Sequence, residues 1–504
     1  MSAGRERRLR AVAERRCRPP AVGLVADDDD RVAAARRGCA HVVGLRARCE
    51  PLVHLGLAEA ERRRRLARAQ ERAGDDRVDT ARAQLVPEPA RLIQARGGER
   101  AQLVGMPRRR FPVADDHETH RGQDSLATVD ELVERYLRLG LHLGRHVDGF
   151  VDAYYGPPDL AEGLDVVPPG ELAREAAELG VATASQYLRA QLAGCETTAR
   201  RLAGEELGWA DEVEGCYGIR PKRTSEDVFA GAQARLDEAL PGDGDVGERY
   251  REWAGRQALP VDRLIEAARA FESHLRERTC ELVGLPRGGG TELEAVRDEP
   301  WGAFNYYLGG RRSRVVINTD LPVYSFRLPD LVAHELYPGH HTERAWKEAL
   351  LVDGEGRFEE SIMLTGTPQS VVSEGIASLA PELAEAAALA PEVYAELGVD
   401  YEPEVADAVR GARADLEGAS VNAALLLHVD GRPADEVVDY LERWTLAPRV
   451  RAEKTLEFIT HPTWRAYVCC YTSGYELCKR WVAGDVTRFR SLLTEQLSTH
   501  DLLV

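Results

Sequence analysis

Three histidines and a glutamate crowd into one octapeptide, His334-Glu335-Leu336-Tyr337-Pro338-Gly339-His340-His341. Imidazole is a good zinc ligand, and a carboxylate beside a ligand can take a proton from water on the metal. The octapeptide therefore reads as the core of a metal-dependent hydrolytic site holding one Zn2+, with His334 as a ligand and Glu335 as the general base. It departs from the common HExxH spacing, in which two histidines four apart share a helix face. Position i+4 from His334 is Pro338, which offers no ligand atom. On a straight helix His341 would face the same way as His334 but lie about 10 Å further along the axis, and His340 would point about 120° away. Pro338 lacks an N–H and clashes with the His334 carbonyl, while Gly339 tolerates unusual backbone angles. A break at Pro338-Gly339 is thus expected, bringing His340 back beside His334 and leaving His341 as a nearby supporting or substrate-facing group. An exchange of roles between His340 and His341 stays open.

A third ligand is needed. Glu374 is favoured, because an acid set among the apolar and small residues of Ser370–Ser378 is costly to bury without a metal or a partner. Gly375 beside it removes bulk where a second helix or the metal comes close. Glu343, Glu382 and Glu385 compete for the role. Two histidines and one glutamate leave a fourth position for water.

Helices must carry these groups. Apolar residues at helical spacing begin at Val129 and recur over 171–208, 225–240, 245–256 and 261–284, with Pro/Gly turns between. His142 and His146 lie four apart on the first of these and read as an ordinary helix face. The run Ala153–Pro158 reads as a turn. Residues 291–296 and the β-branched stretch Ser313–Thr319 read as short strands ahead of the helix that opens at Leu328. A strand there could pair with an extended substrate, and Asn318 on it is placed as a substrate-facing or supporting residue. Helical texture continues over 381–396 and 403–427 and restarts after Pro433. Arg465 could meet a substrate carboxylate or form a structural ion pair. Cys469 and Cys470 read as small buried residues.

The octapeptide, the later Glu374-Gly375 and the late Tyr471-Thr472-Ser473-Gly474 together resemble the bacterial "domain of unknown function 885" family, over roughly 127–504. That family looks distantly related to helical glutamate-zincin peptidases of the Taq carboxypeptidase type. The resemblance implies a mainly α, multi-helix zincin-like architecture with a small antiparallel β-sheet next to the metal helix. It also implies a zinc hydrolase, with Tyr471 as the donor to the oxyanion. Matching Gly339-His340 to the Gly-His of the relatives' HExGH motif favours His340 over His341. Ile376 stands where the family usually has a bulkier, often aromatic residue, a change expected at the pocket wall.

The whole chain sets the bounds. Its 504 residues, 44% hydrophobic and 30% charged, suffice for a deep core, and a net charge of −18 argues against a nucleic-acid partner. Nine scattered cysteines, the absence of an apolar leader after the charged Met1–Arg10 and the lack of a long apolar run point to a cytoplasmic protein with no membrane partner. Residues 1–124 differ in texture: they contain no Tyr, Trp, Asn or Lys and one Phe, Phe111, amid runs of Arg and Asp. They are expected to be an extension, disordered or arising from a start placed too far upstream, ahead of a helical metallohydrolase domain at 125–504. The expected activity is hydrolysis of a peptide by water activated at Glu335. A small amide or ester substrate, and a non-catalytic helical protein with a structural metal, are the alternatives.

Overall fold

The computed structural model describes residues 129–299 and 301–503, so the expected extension at 1–124 lies outside the described residues. Seven helices open the described chain: α1 (Glu131–Gly144), α2 (Pro169–Ala182), α3 (Gln186–Leu202), α4 (Trp209–Tyr217), α5 (Glu226–Ala239), α6 (Val246–Arg256) and α7 (Val261–Leu282). Their starts are written in the sequence. Asp130, Ser185, Ser225 and Asp245 each accept a hydrogen bond from a first-turn N–H, and Pro168 and Pro260 precede α2 and α7. The continuous pattern over 171–208 is two helices, because Ser185 caps a new start.

Strands supply the rest of the scaffold around the site. β1 (Val151–Tyr154) occupies the first part of the stretch expected to turn, and it pairs antiparallel with β5 (Ile362–Leu364). A second sheet contains β2 (Gly290–Val296), β3 (Ala303–Gly309) and β4 (Arg312–Asn318) in the order β2-β4-β3. β3 and β4 are antiparallel, but β2 and β4 are parallel, so the sheet is mixed rather than wholly antiparallel. β4 is central, with both edges taken; the strand on which Asn318 lies therefore cannot add a substrate strand, and β2 and β3 are the edges.

The octapeptide spans α8 (Leu328–Glu335) and α9 (His340–Lys347), and a π-helical turn, Glu348–Val352, continues α9. The Glu348 carboxylate accepts hydrogen bonds from Tyr307 Oη at 2.5 Å and from the Gly310 and Arg311 N–H groups at 2.7 Å. It ties the β3–β4 turn to the end of α9. Then come α10 (Pro368–Leu383), α11 (Ala390–Leu397), α12 (Pro403–Leu416), α13 (Gly418–His428), α14 (Ala434–Thr445), α15 (Arg449–Thr460), α16 (Val468–Val482), α17 (Val486–Thr494) and α18 (Thr499–Leu503). No helix among the described residues is long and apolar enough to cross a membrane.

Three hydrophobic clusters pack the elements around the site. Val332, Ala333 and Leu336 anchor α8 in one, with Val315 and Ile317 of β4. Val371, Val372 and Ile376 of α10 share a second with Val468, Cys469 and Cys470 of α16. Val151, Ile362 and Leu364 of the small sheet join a third with α1–α3. The closest approach is between α10 and α16: a Cβ on Gly375 would overlap the Gly474 carbonyl, and one on Gly474 would overlap that of Val371. This near-contact of two backbones sets Glu374 of α10 against the aromatic start of α16. Ile376 is fully buried in the second cluster and lies away from the pocket wall where it was expected.

Candidate metal centre

The chain does break where Pro338 and Gly339 predict. α8 stops at Glu335, the Tyr337–Pro338 peptide is cis, and α9 begins at His340. Hydrogen bonds six residues back replace the usual four: Gly339 N–H to the Ala333 carbonyl at 3.0 Å and Thr342 N–H to that of Leu336 at 3.2 Å. A Cβ on residue 339 would overlap the His334 carbonyl oxygen, so only glycine fits the widened turn. The result puts the His334 and His340 rings 4.8 Å apart, centroid to centroid.

Glu374 reaches them from α10. Its Oε2 lies 3.5 Å from His334 Nε2 and its Oε1 3.8 Å from His340 Nε2. A tetrahedral zinc with bonds of about 2.1 Å spaces its ligand atoms about 3.4 Å apart, so both distances are near the span of a shared ion. Ligand atoms of all three residues lie within 4.8 Å of one another.

The surroundings prepare each group. Tyr467 Oη donates to Glu374 Oε1 at 2.6 Å, while Glu374 Oε2 is buried without a hydrogen-bond partner. Ser373 Oγ donates to Glu343 Oε2 at 2.6 Å, which uses its only proton. It therefore accepts from His340 Nδ1, 3.2 Å away, and the tautomer this imposes turns the His340 Nε2 lone pair toward Glu374. Glu343 is completed by Lys347 Nζ at 2.7 Å, so it supports His340 rather than competing as a ligand. Glu382 pairs with Lys479 and Tyr475, and Glu385 with Arg278. Asn305 Nδ2 donates to the Glu335 backbone carbonyl at 2.5 Å, fixing the end of α8.

Electrostatics single out the same place. Burial opposes ionisation of Glu374, yet the two imidazoles beside it hold its carboxyl below the ordinary range. Burial would also lower His334, but Glu374 and Glu335 raise it to about 9. Burial lowers His340 to about 4 and raises Glu335 to about 7, with Glu374 and Asp152 adding to the latter and His334 opposing. Among the groups lining the cleft, Asp152, Glu335 and Glu374 outnumber the one arginine, Arg344. The donor set of two imidazoles and a carboxylate, with one unpaired carboxylate oxygen, fits a zinc ion.

These groups line one cleft enclosing about 710 Å3, its open mouth included. Tyr471 lines it too, one helical turn beyond Tyr467 with ring centroids 5.7 Å apart. Three of the expected site residues are elsewhere. His341 is buried against β4 with Nδ1 2.8 Å from Ser313 Oγ. Asn318 Nδ2 donates to the carbonyls of Glu299 (2.8 Å) and Trp301 (2.9 Å), so it shapes the loop behind the cleft and does not face it. Arg465 is consumed by Glu212, with Nε 3.0 Å from Oε2; the structural ion pair is its role. Sequence reasoning passed over Tyr467, Ser373, Asn305, Asp152 and Arg344. Tyr467 is at i−4 from Tyr471 and Arg344 at i+4 from His340, and that spacing on one helix face was a usable signal.

No family model matches the chain, and no curated protein does. Among solved structures it is similar to a candidate lipoprotein from Colwellia psychrerythraea, at 16% identity and TM-score 0.43 over 68% of this chain and 63% of that one. It is also similar to a candidate lipoprotein of unknown function from Shewanella oneidensis, at 14% identity and TM-score 0.37 over 72% and 73%. The chain thus spans less than two thirds of the first of these.

Proposed function

We propose that the protein is a zinc-dependent hydrolase acting on peptide bonds, in line with the resemblance to the domain of unknown function 885 family and its zincin-like relatives. The observation that carries the reading is the convergence of His334, His340 and Glu374 on one point, with Glu374 Oε2 buried and unpaired and Glu335 in the same cleft. The three side chains would hold the ion, which supplies a Lewis acid for the carbonyl and acidifies a water. Glu335 takes the proton of the attacking water and passes it to the leaving nitrogen. Tyr467 is committed to Glu374, so Tyr471, whose hydroxyl makes no hydrogen bond among the described residues, is the donor available to the developing oxyanion.

The test compares wild type and Glu335→Gln for zinc content and for turnover of a peptide panel set beside small amides and esters. The substitution leaves zinc content unchanged and lowers turnover by about 10^3-fold, within the range of a lost general base. Retained turnover removes Glu335 from the chemistry, and turnover confined to esters removes the peptide.

A further inference from the structure

Arg344 is the unexplained cation of the cleft. It follows His340 by four residues on α9, so it stands one turn along the same helix face and lines the same cavity. Its side chain is 6% exposed, yet the guanidinium makes no hydrogen bond among the described residues. Its one ion-pair contact among the described residues is Asp152 on β1, with Nη2 3.5 Å from Oδ2, and Glu343, already bonded to Lys347 and Ser373, acts on it only through space. Buried arginines ordinarily satisfy several of their five donors, because an unpaired buried charge is costly. Burial raises Asp152 to about 6 although Arg344 opposes this. The other buried cation nearby, Lys347, sits 2.7 Å from Glu343 and is spent. Trp301, Phe304, Phe458 and Trp464 line the cleft with Arg344.

We propose that Arg344 is the recognition site for a free carboxylate on the substrate, carried by an apolar or aromatic residue that the four rings enclose. A planar guanidinium receives a carboxylate through two parallel hydrogen bonds, and Asp152 holds it in place until that carboxylate arrives. The identity of the ligand as a peptide rests on the hydrolase reading; carboxylate binding at Arg344 does not. The carboxylate could be a chain terminus or an acidic side chain, and the probes separate these.

Binding is measured by calorimetry on the full chain, without turnover, using N-acetyl-Phe-Phe as the free acid, its C-terminal amide, and N-acetyl-Glu-Phe amide. Wild type binds the free acid at least about 10-fold more tightly than the amide, the size expected of a charge-assisted pair. Preference for the Glu peptide over the plain amide, with none for the terminal acid, assigns the site to acidic side chains. Arg344→Gln abolishes the preference, Arg344→Lys keeps part of it, and Asp152→Asn, which frees the guanidinium, increases it. Equal binding of all three probes by wild type, or a preference that survives in Arg344→Gln, overturns the proposal. If Arg344→Gln does not fold, wild type and Asp152→Asn decide the question. A protein that binds acids selectively but takes up no zinc leaves this inference standing and removes the hydrolase reading.

Discussion

Two glutamates lie buried within reach of Ser373, and they have opposite surroundings. Glu343 is finished by the fold: Lys347 takes one oxygen and Ser373 the other. Glu374 is not: Tyr467 takes one oxygen, and the second faces His334 with no hydrogen bond. Both are 4% exposed or less. Burial alone therefore does not separate a structural acid from a candidate ligand. What separates them is whether the fold completes the partners, since an incomplete buried charge persists only where something else supplies the rest.

The largest effect that could break this contrast is on stability. Glu343→Gln strands the Lys347 ammonium and costs about 3–5 kcal/mol. Glu374→Gln keeps an acceptor for Tyr467 and costs about 1 kcal/mol or less. Urea unfolding of the metal-free protein measures both, and equal costs would erase the distinction. Acid titration sharpens it. Burial pushes Glu343 up, but Lys347 and Arg344 bring its carboxyl down to about 2. Its stabilisation is therefore complete above the unfolded value of about 4.3 and is lost as pH falls toward 2. The wild-type unfolding free energy should decline across that window, and the Glu343→Gln curve should lack this part of the decline.

Ser373 joins the two regions, so its removal should register in both. Ser373→Ala frees the His340 tautomer and raises the zinc dissociation constant about 10- to 100-fold, the usual cost of losing a ligand's hydrogen-bond partner. Tyr467→Phe is the smaller change: Glu374 keeps its charge but loses one oriented donor, and affinity falls about 10-fold. Competition with a chelator ranks the two variants, and a larger loss in Tyr467→Phe would reverse their assigned weights.

Much of this site could be read in the sequence because its constraints are local. Pro338 and Gly339 sit between the two histidines they reposition, and Asp130, Ser185, Ser225 and Asp245 stand beside the N–H groups they cap. What stayed open comes from distance along the chain. Arg465 forms its structural ion pair with Glu212 on α4, and no local pattern announces that partner. β1 is four residues long and gains its partner only at Ile362–Leu364. The parallel pairing of β2 with β4 depends on β3 lying outside both, an order that the alternation of apolar residues does not encode. Tyr467 was overshadowed by Tyr471, which fits the Tyr-x-x-Gly pattern. Gly474 of that pattern has a packing role of its own, letting α16 meet α10 beside Gly375.

The central claim is that the unfinished partners of Glu374, His334 and His340 are completed by zinc. Zinc bound per chain, measured by elemental analysis and calorimetry on wild type, Glu374→Ala and His341→Ala, tests it most directly. Wild type should bind one equivalent, Glu374→Ala near none with the helical circular dichroism retained, and His341→Ala one equivalent. A wild-type protein that takes up no zinc, or a Glu374→Ala protein that binds it undiminished, would rule out a zinc centre built on these three residues.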